Sequence, residues 1–415
     1  MKGEAAEVRD ASPGYAPQVE MPVVPESYKQ TEVGVIPEEW EVRTLGEVST
    51  FLDGQRRPVK ASDRAKMSGT IPYYGASGVV DYINDYLFDE ELILLGEDGE
   101  NILSRNLRLA FRISGKSWVN NHAHVIRPNS DISIGFLTEY LESLDYSGLN
   151  SGTAQPKLNK QKCLAIHVAV PPIVEQRAIA TALSDVDALL KSLDHLIAKK
   201  RDIKQATMQQ LLTAQTRLPG FEGEWEVKEL GELAEIIMGQ SPSSSNYNTK
   251  GAGLPLIQGN ADIDGRKSIQ RFFTTQITKK GKAGDILLSV RAPVGEIARA
   301  TFDLCLGRGV CAIRAPNDFL YHYLIYLEPT WARHSKGSTF DSVNSSDVKV
   351  VEIRIPTDIA EQKAIATVFS DMDTELEALQ QHRTKTAALK QSMMQELLTG
   401  RTRLVGLQVG AEAGE

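Results

Sequence analysis

Apolar residues step by four and three along two stretches of the chain: Ile179, Leu183, Val186, Leu190, Leu193 and Ile197 in one, and Ile365, Phe369, Met372, Leu376 and Leu379 in the other. Each reads as a heptad seam on a long helix. No Gly or Pro interrupts either seam, and roughly 40 helical residues would make a rod about 60 Å long. A rod of that length cannot bury its stripe alone, so the two are expected to pack against each other, antiparallel; the plainer alternative is an ordinary pair of core helices. Polar residues break each seam near its middle (Lys199, Lys200 and Arg201; residues 382–386), which predicts a wet stretch or one open to a partner. Asp358, three residues before Glu361, has capping-box spacing, and Pro171 and Pro172 stop a strand ahead of the first helix.

The seams belong to a larger repeat. Residues 175–218 lie over residues 361–404 without a gap, and about half the positions are identical. Residues 34–48 recur as residues 219–233, with Trp40 matching Trp225, Leu45 matching Leu230 and Gly46 matching Gly231. The repeated unit is therefore a domain plus a helix. Between opener and helix the two copies share texture rather than sequence. Strands are expected at 86–88, 92–95, 109–113 and 124–126, then at 254–257, 285–290 and 310–313. A helix follows in each, at 134–143 and 319–331. Each domain closes with a Gly-Thr or Gly-Ser loop, 152–159 and 337–344, and a strand into the long helix. Residues 1–33, rich in Glu, Ala and Pro and without period, read as a mobile tail, and 405–415 as a short one.

Length and composition (415 residues, 41% hydrophobic, 24% charged) are those of a soluble globular protein of two or more domains. No apolar run of about 18 residues and no signal-peptide pattern occur, so a cytoplasmic chain without membrane contact is expected. Cys163, Cys305 and Cys311 are read as core thiols. The net charge of −8 is unusual for a chain that holds nucleic acid by phosphate neutralisation alone. Either nucleic acid is not bound, or local loops read it while partners supply much of the attraction.

A Trp-containing opener, a variable, mostly β domain, a Gly-[Thr/Ser] loop ending in Asn, a strand into Pro, then Glu175-Gln176-Arg177 or Glu361-Gln362-Lys363 opening a helix that closes in Leu-Leu-Thr, all twice, resembles the specificity subunit of a Type I restriction-modification enzyme. The resemblance covers roughly residues 34–404; Thr357 replaces one of the two prolines present at Pro171-Pro172, and the acidic N-terminal tail is longer than the family pattern. It implies an α+β fold of two pseudo-repeated mixed α/β target recognition domains (34–172 and 219–357) joined by two long antiparallel coiled-coil helices (173–218 and 358–404). Each domain would read one half of a bipartite DNA site. The helices would set the gap and dock two methyltransferase subunits, which bind S-adenosylmethionine and methylate one adenine per half-site. ATP- and Mg-dependent restriction/translocase subunits can join. The chain itself would hold no cofactor and no metal.

No catalytic constellation stands out. Residues 110–117 satisfy a relaxed phosphate-loop pattern, but Trp118-Val119 continues as strand where a helix is required, so Gly115-Lys116 is read as a hairpin turn. His122 and His124 lack an obvious third metal ligand. Val170-Pro-Pro-Ile173 lacks the polar and aromatic residues of an adenine-flipping motif. Asp358, Glu361 and Lys363 imitate a nuclease trio but fit helix capping better.

Base reading needs paired donors and acceptors on loops. In the first domain the candidates are Gln55, Arg56, Arg57, Tyr74, Ser77, Asn101, Arg105, Asn121, His122, His124, Thr153, Gln155 and Lys157. In the second they are Gln240, Ser241, Ser243, Gln258, Asn260, Arg266, Arg291, Arg308, Lys336, Ser338 and Thr339, with Arg291 and Arg308 favoured by their small or restricted neighbours. Glu97, Asp98 and Glu100 would repel phosphate and read as structural unless one accepts from a cytosine amino group. Two readers related by an approximate dyad predict an asymmetric, gapped target. The competing reading is a non-catalytic coiled-coil interaction scaffold without DNA specificity.

Overall fold

The structure, a computed structural model, describes residues 24–152, 155–333 and 342–404. The chain forms two compact units, Met1–Leu190 with Lys385–Glu415, and Lys191–Thr384.

In the first unit the strands are β1 (Tyr28–Thr31), β2 (Gly34–Pro37), β3 (Glu41–Thr44), β4 (Ser49–Phe51), β5 (Ser68–Gly75), β6 (Gly78–Ile83), β7 (Phe88–Asp89), β8 (Leu92–Gly96), β9 (Ala110–Ile113), β10 (Lys116–Val119), β11 (Ala123–Pro128) and β12 (His167–Val170). They form one sheet of order β6-β5-β10-β7, another of order β4-β11-β8-β9, and the pairs β1-β2 and β12-β3. β8 is buried along its whole length, which is why Leu92–Leu95 reads as an unbroken apolar run. Helix α1 (Ile134–Ser143) falls where the sequence predicts it, capped by Ser133, and α2 (Ile173–Leu212) begins in this unit.

In the second unit come β13 (Trp225–Glu229), β14 (Glu235–Met238), β15 (Tyr247–Asn248), β16 (Leu254–Ile257), β17 (Ile263–Asp264), β18 (Lys267–Ser268), β19 (Phe272–Thr274), β20 (Lys280–Gly281), β21 (Ile286–Ser289), β22 (Ile297–Arg299), β23 (Leu304–Leu306), β24 (Val310–Arg314) and β25 (Glu352–Pro356). Helix α3 (Phe319–Leu327) runs into a 3-10 turn at Glu328–Arg333, where Pro329 lacks the N–H that a longer α-helix would use. Helix α4 (Ile359–Leu397) begins here. The sheets have orders β14-β24-β21-β22-β18-β17 and β15-β19-β16-β23-β20. Four strands of each sheet repeat the first unit: β14-β24-β21-β22 corresponds to β4-β11-β8-β9, and β19-β16-β23-β20 to β6-β5-β10-β7. The parallel pair β16-β23 likewise repeats β5-β10. Two dissimilar sequences thus build one topology.

The helices behave as the seams predict. Ile179 and Leu183, and Ile365 and Phe369, are buried in the cores of their units. Within the second unit Asp194 pairs with Arg383 (2.8 Å), Lys200 with Glu375 (2.7 Å), and Lys204 with Asp373. One number falls as the other rises, so the helices are antiparallel. The expected wet break at Lys200 and Arg383 is therefore crossed by ion pairs. In the first unit Lys390 reaches Asp187 (2.7 Å) and Glu139 (3.2 Å).

A clasp closes each helix pair. Arg403 grips Glu175 with Nε and Nη2 (2.7 and 2.8 Å), and Trp40 Nε1 donates to the same carboxylate at 3.0 Å. In the second unit Arg217 grips Glu361 in the same way (2.9 and 2.5 Å). Glu361 therefore does not complete a capping box; Asp358 alone caps, accepting from Ala360 N at 2.8 Å. The clasp turns fill residues 213–218 and 398–404, so the helices end before the expected boundaries.

Three further expectations change. Residues 28–31 are not part of a tail: β1 pairs with β2, and Tyr28 Oη donates to Gly400 O at 2.9 Å. The anchor is distant in sequence, so composition could not show it. Nor is Gly115-Lys116 a hairpin turn: β9 pairs with β8, while β10 pairs with β5 and β7 in the other sheet. Gly115, at φ +69°, lets the chain change sheets. The strand expected at 86–88 is only β7. All three cysteines are buried, and burial pushes the Cys163 and Cys311 thiols up to about 12. Among the described residues no helix is long and apolar enough to cross a membrane, and no His, Cys, Asp and Glu group could hold a metal ion.

Candidate nucleic-acid interface

Where the strands of each sheet pair run out, their loops lie side by side. In the first unit this rim is tied by backbone hydrogen bonds from Arg57 N to Val119 O (3.2 Å), Asn120 N to Tyr74 O (3.1 Å), Glu97 N to His122 O (2.8 Å) and Leu158 N to Glu97 O (2.7 Å). Asp98 and Lys157 form a bridge beside them. Gln55, Arg57, Ser77, Asn121, His122, Gln155 and Lys157 are exposed along it, and Tyr74 is half-buried. The rim offers donors and acceptors from rigid strand ends, the arrangement that reading base edges requires.

Arg56 and His124, expected to contact bases, are instead engaged inside the domain. Arg56 Nη1 donates to Glu97 Oε2 and Ala123 O, both at 2.6 Å. His124 is 1% exposed, its ring between Asp53 Oδ2 (2.8 Å) and Leu158 O (3.1 Å). Burial pushes the Asp53 and Glu97 carboxyls up, but hydrogen bonds from His124 to Asp53 and from Arg56 to Glu97, with their charges, outweigh it and hold both below the usual carboxylate range. This network lies beneath the rim and supports it. Asn101 closes its own loop on Leu107, and Arg105 is turned toward Glu142 on α1.

In the second unit the same rim is tied by Gly307 N to Ile257 O (2.7 Å), Val290 N to Gly309 O (2.9 Å) and Gln240 N to Leu306 O (2.9 Å). Gln240, Ser243, Arg291 and Arg308 are exposed on it, with Gln258 and Ser241 half-buried. Ser241 Oγ accepts from Arg308 N at 3.1 Å, so it positions that loop. Two expected contacts turn away. Arg266 is forked onto Glu328 (2.6 and 2.7 Å), and Asn260 donates to Glu296. Thr153, Lys336, Ser338 and Thr339 lie outside the described residues. Among the described residues neither the Arg291 nor the Arg308 guanidinium has a partner, whereas those of Arg266, Arg271, Arg299 and Arg314 are each held by a carboxylate.

Asp98 sits on the first rim although its charge argued against DNA contact. Its Oδ1 and Oδ2 lie 3.0 and 2.9 Å from His122 Nδ1. No local sequence signal marks it; its place follows from the sheet register.

Comparison with known proteins gives the same domain twice. The model for the "Type I restriction modification DNA specificity domain" matches residues 37–199 and 222–387. The chain is 29% identical over 422 residues to a putative type I restriction enzyme MjaX specificity subunit of Methanocaldococcus jannaschii, covering 91% of this chain and 97% of that one. It is 27% identical over 351 residues to a putative specificity subunit of Haemophilus influenzae, covering 81% and 88% of the two chains. Among solved structures, a Type-I restriction-modification S subunit from M. genitalium shares the fold at a TM-score of 0.62 and 14% identity, over 86% of this chain and 96% of that one.

Proposed function

Because the chain belongs to the Type I restriction-modification DNA specificity family, we propose that each of its two domains reads one half of a bipartite, gapped double-stranded DNA target through the rim at its strand ends. It is a non-catalytic specificity subunit that assembles with other subunits. The long helices set the gap and dock two methyltransferase subunits, which bind S-adenosylmethionine and methylate one adenine in each half-site. Restriction/translocase subunits that use ATP and Mg can join the same assembly. Such a chain works where the DNA is, in the cytoplasm.

The observation that carries this reading is the pair of equivalent rims, each rich in exposed hydrogen-bonding side chains at loops fixed by backbone hydrogen bonds. The net charge of −8 fits a subunit that supplies discrimination while partners supply phosphate neutralisation. The test is a strand-resolved map of methylated adenines in cells carrying the chain with its methyltransferase partner. An asymmetric motif in two blocks separated by unspecified base pairs is expected. An active partner that yields no gapped motif would leave the interaction scaffold as the better account.

A further inference from the structure

The two rims occupy one backbone frame, and the frame fixes which residues are equivalent. Gly96 faces Ala123 in the first domain as Ser289 faces Val310 in the second. One residue further on, Glu97 N donates to His122 O as Val290 N donates to Gly309 O, and Leu158 N donates to Glu97 O as Val343 N does to Val290 O. The next residue makes the same isolated bridge, Asp98 with Lys157 and Arg291 with Ser342. Asp98 and Arg291 therefore stand in the same place, as do Asn121 and Arg308, and His122 and Gly309.

The chemistry at that place is opposite in the two domains. Asp98 is an acceptor, and its carboxylate takes the proton of His122 Nδ1; in the tautomer that carries only that proton, Nε2 of the half-exposed ring is another acceptor. Arg291 is a donor fork without a partner among the described residues. Where the first domain has His122, the second has Gly309, and a Cβ there would come within 2.1 Å of Gln258 O. Arg308 stands between this glycine and Gly307, whose own Cβ would lie 2.9 Å from Gln258 Cα. The loop is thus pressed onto Gln258 and holds a second guanidinium outward.

We propose that the second domain reads guanine through Arg291 and Arg308, while the first domain reads an amino-bearing base, cytosine or adenine, through Asp98 and His122 at the equivalent step of its own half-site. The proposal rests on the reading of both domains as half-site readers. A guanidinium fork matches the O6 and N7 acceptors of guanine in the major groove. A carboxylate at the same place repels those acceptors and accepts from cytosine N4 or adenine N6.

The test uses the full chain in complex with its methyltransferase partner and duplexes carrying the mapped motif. Each guanine of the second half-site is replaced in turn by 7-deazaguanine, which removes N7 and leaves the protein untouched. Wild-type binding should weaken about 5- to 150-fold at one or two of these guanines. Arg291→Ala and Arg308→Ala should each become indifferent to the guanine it reads, and Arg291→Lys, which keeps charge and loses the fork, should bind with reduced discrimination. In the first half-site, 2-pyrimidinone in place of cytosine or purine in place of adenine distinguishes the two amino-bearing bases. One of them should weaken the wild type and leave Asp98→Ala unaffected. A specifically bound gapped motif with no guanine in its second half, or with no response to 7-deazaguanine there, overturns the assignment while the half-site reading stands. Absence of any sequence-specific binding by an active complex overturns the half-site reading itself.

Discussion

Arg56 and Arg57 are neighbours in sequence and opposite in role. Arg56 is 13% exposed and bridges Glu97 and Asp53 beneath the rim, whereas Arg57 is exposed on it. Arg56→Ala takes a shared cation from two partly buried carboxylates, leaving Asp53 to His124 and Glu97 to Lys157, and should cost about 2 kcal/mol, seen as a shifted denaturation midpoint. Arg57→Ala should stay within about 0.5 kcal/mol of the wild type and instead weaken DNA binding by the assembled complex, reducing the salt slope by about one if the contact is a phosphate. Equal destabilisation by both would contradict this division. The residue types suited to base reading were legible in the sequence. Their directions were not, because what separates Arg56 from Arg57, or buried His124 from exposed His122, is a partner brought in by the sheet: Glu97, Asp53 or Leu158 O. The same holds for Asp98 and Arg291, whose equivalence lives in strand register and leaves no trace in the residues around them.

Among elements, the long helices were the most legible because a heptad is a local pattern repeated many times. The clasp was half legible. Glu175-Gln176 and Glu361-Gln362 recur, as do Thr216-Arg217-Leu218 and Thr402-Arg403-Leu404, yet nothing in either motif says that each grips the other. Capping-box spacing suggested a nearer partner for Glu361 and misled for that reason. In the first unit Glu175 is 2% exposed and is held by Arg403 and by Trp40 Nε1. Arg403→Ala should destabilise that unit by about 2–3 kcal/mol, below the range for a fully buried pair because the guanidinium is 20% exposed. Trp40→Phe keeps most of the packing but removes one donor, and should cost less. The double variant should cost less than the sum of the two, since both act on one carboxylate. Additive losses in denaturant unfolding would show that Glu175 is not their common target.

At the scale of the whole molecule, α2 and α4 each continue from one compact unit into the other, so their length enters the covalent path between the two recognition domains. If they set the gap in the DNA target, removing one heptad from each should shorten it. Removing residues 191–197 and 380–386 takes Asp194 and Arg383 out together, leaving no stranded charge from that pair. Seven residues are about 10 Å of helix, or about 3 base pairs at 3.4 Å each. They are also close to two full helical turns, so the seam of each helix resumes on nearly the same face, drifting by about 20°. The doubly shortened chain should therefore still assemble with its partner and yield a methylated motif with both blocks of specified bases unchanged and a gap shorter by about three. A gap of unaltered length in that variant would mean that the rims find their half-sites by some means other than helix length. Shortening α2 alone sets Lys200 and Lys204 out of step with Glu375 and Asp373, and should cost stability without yielding a defined new gap.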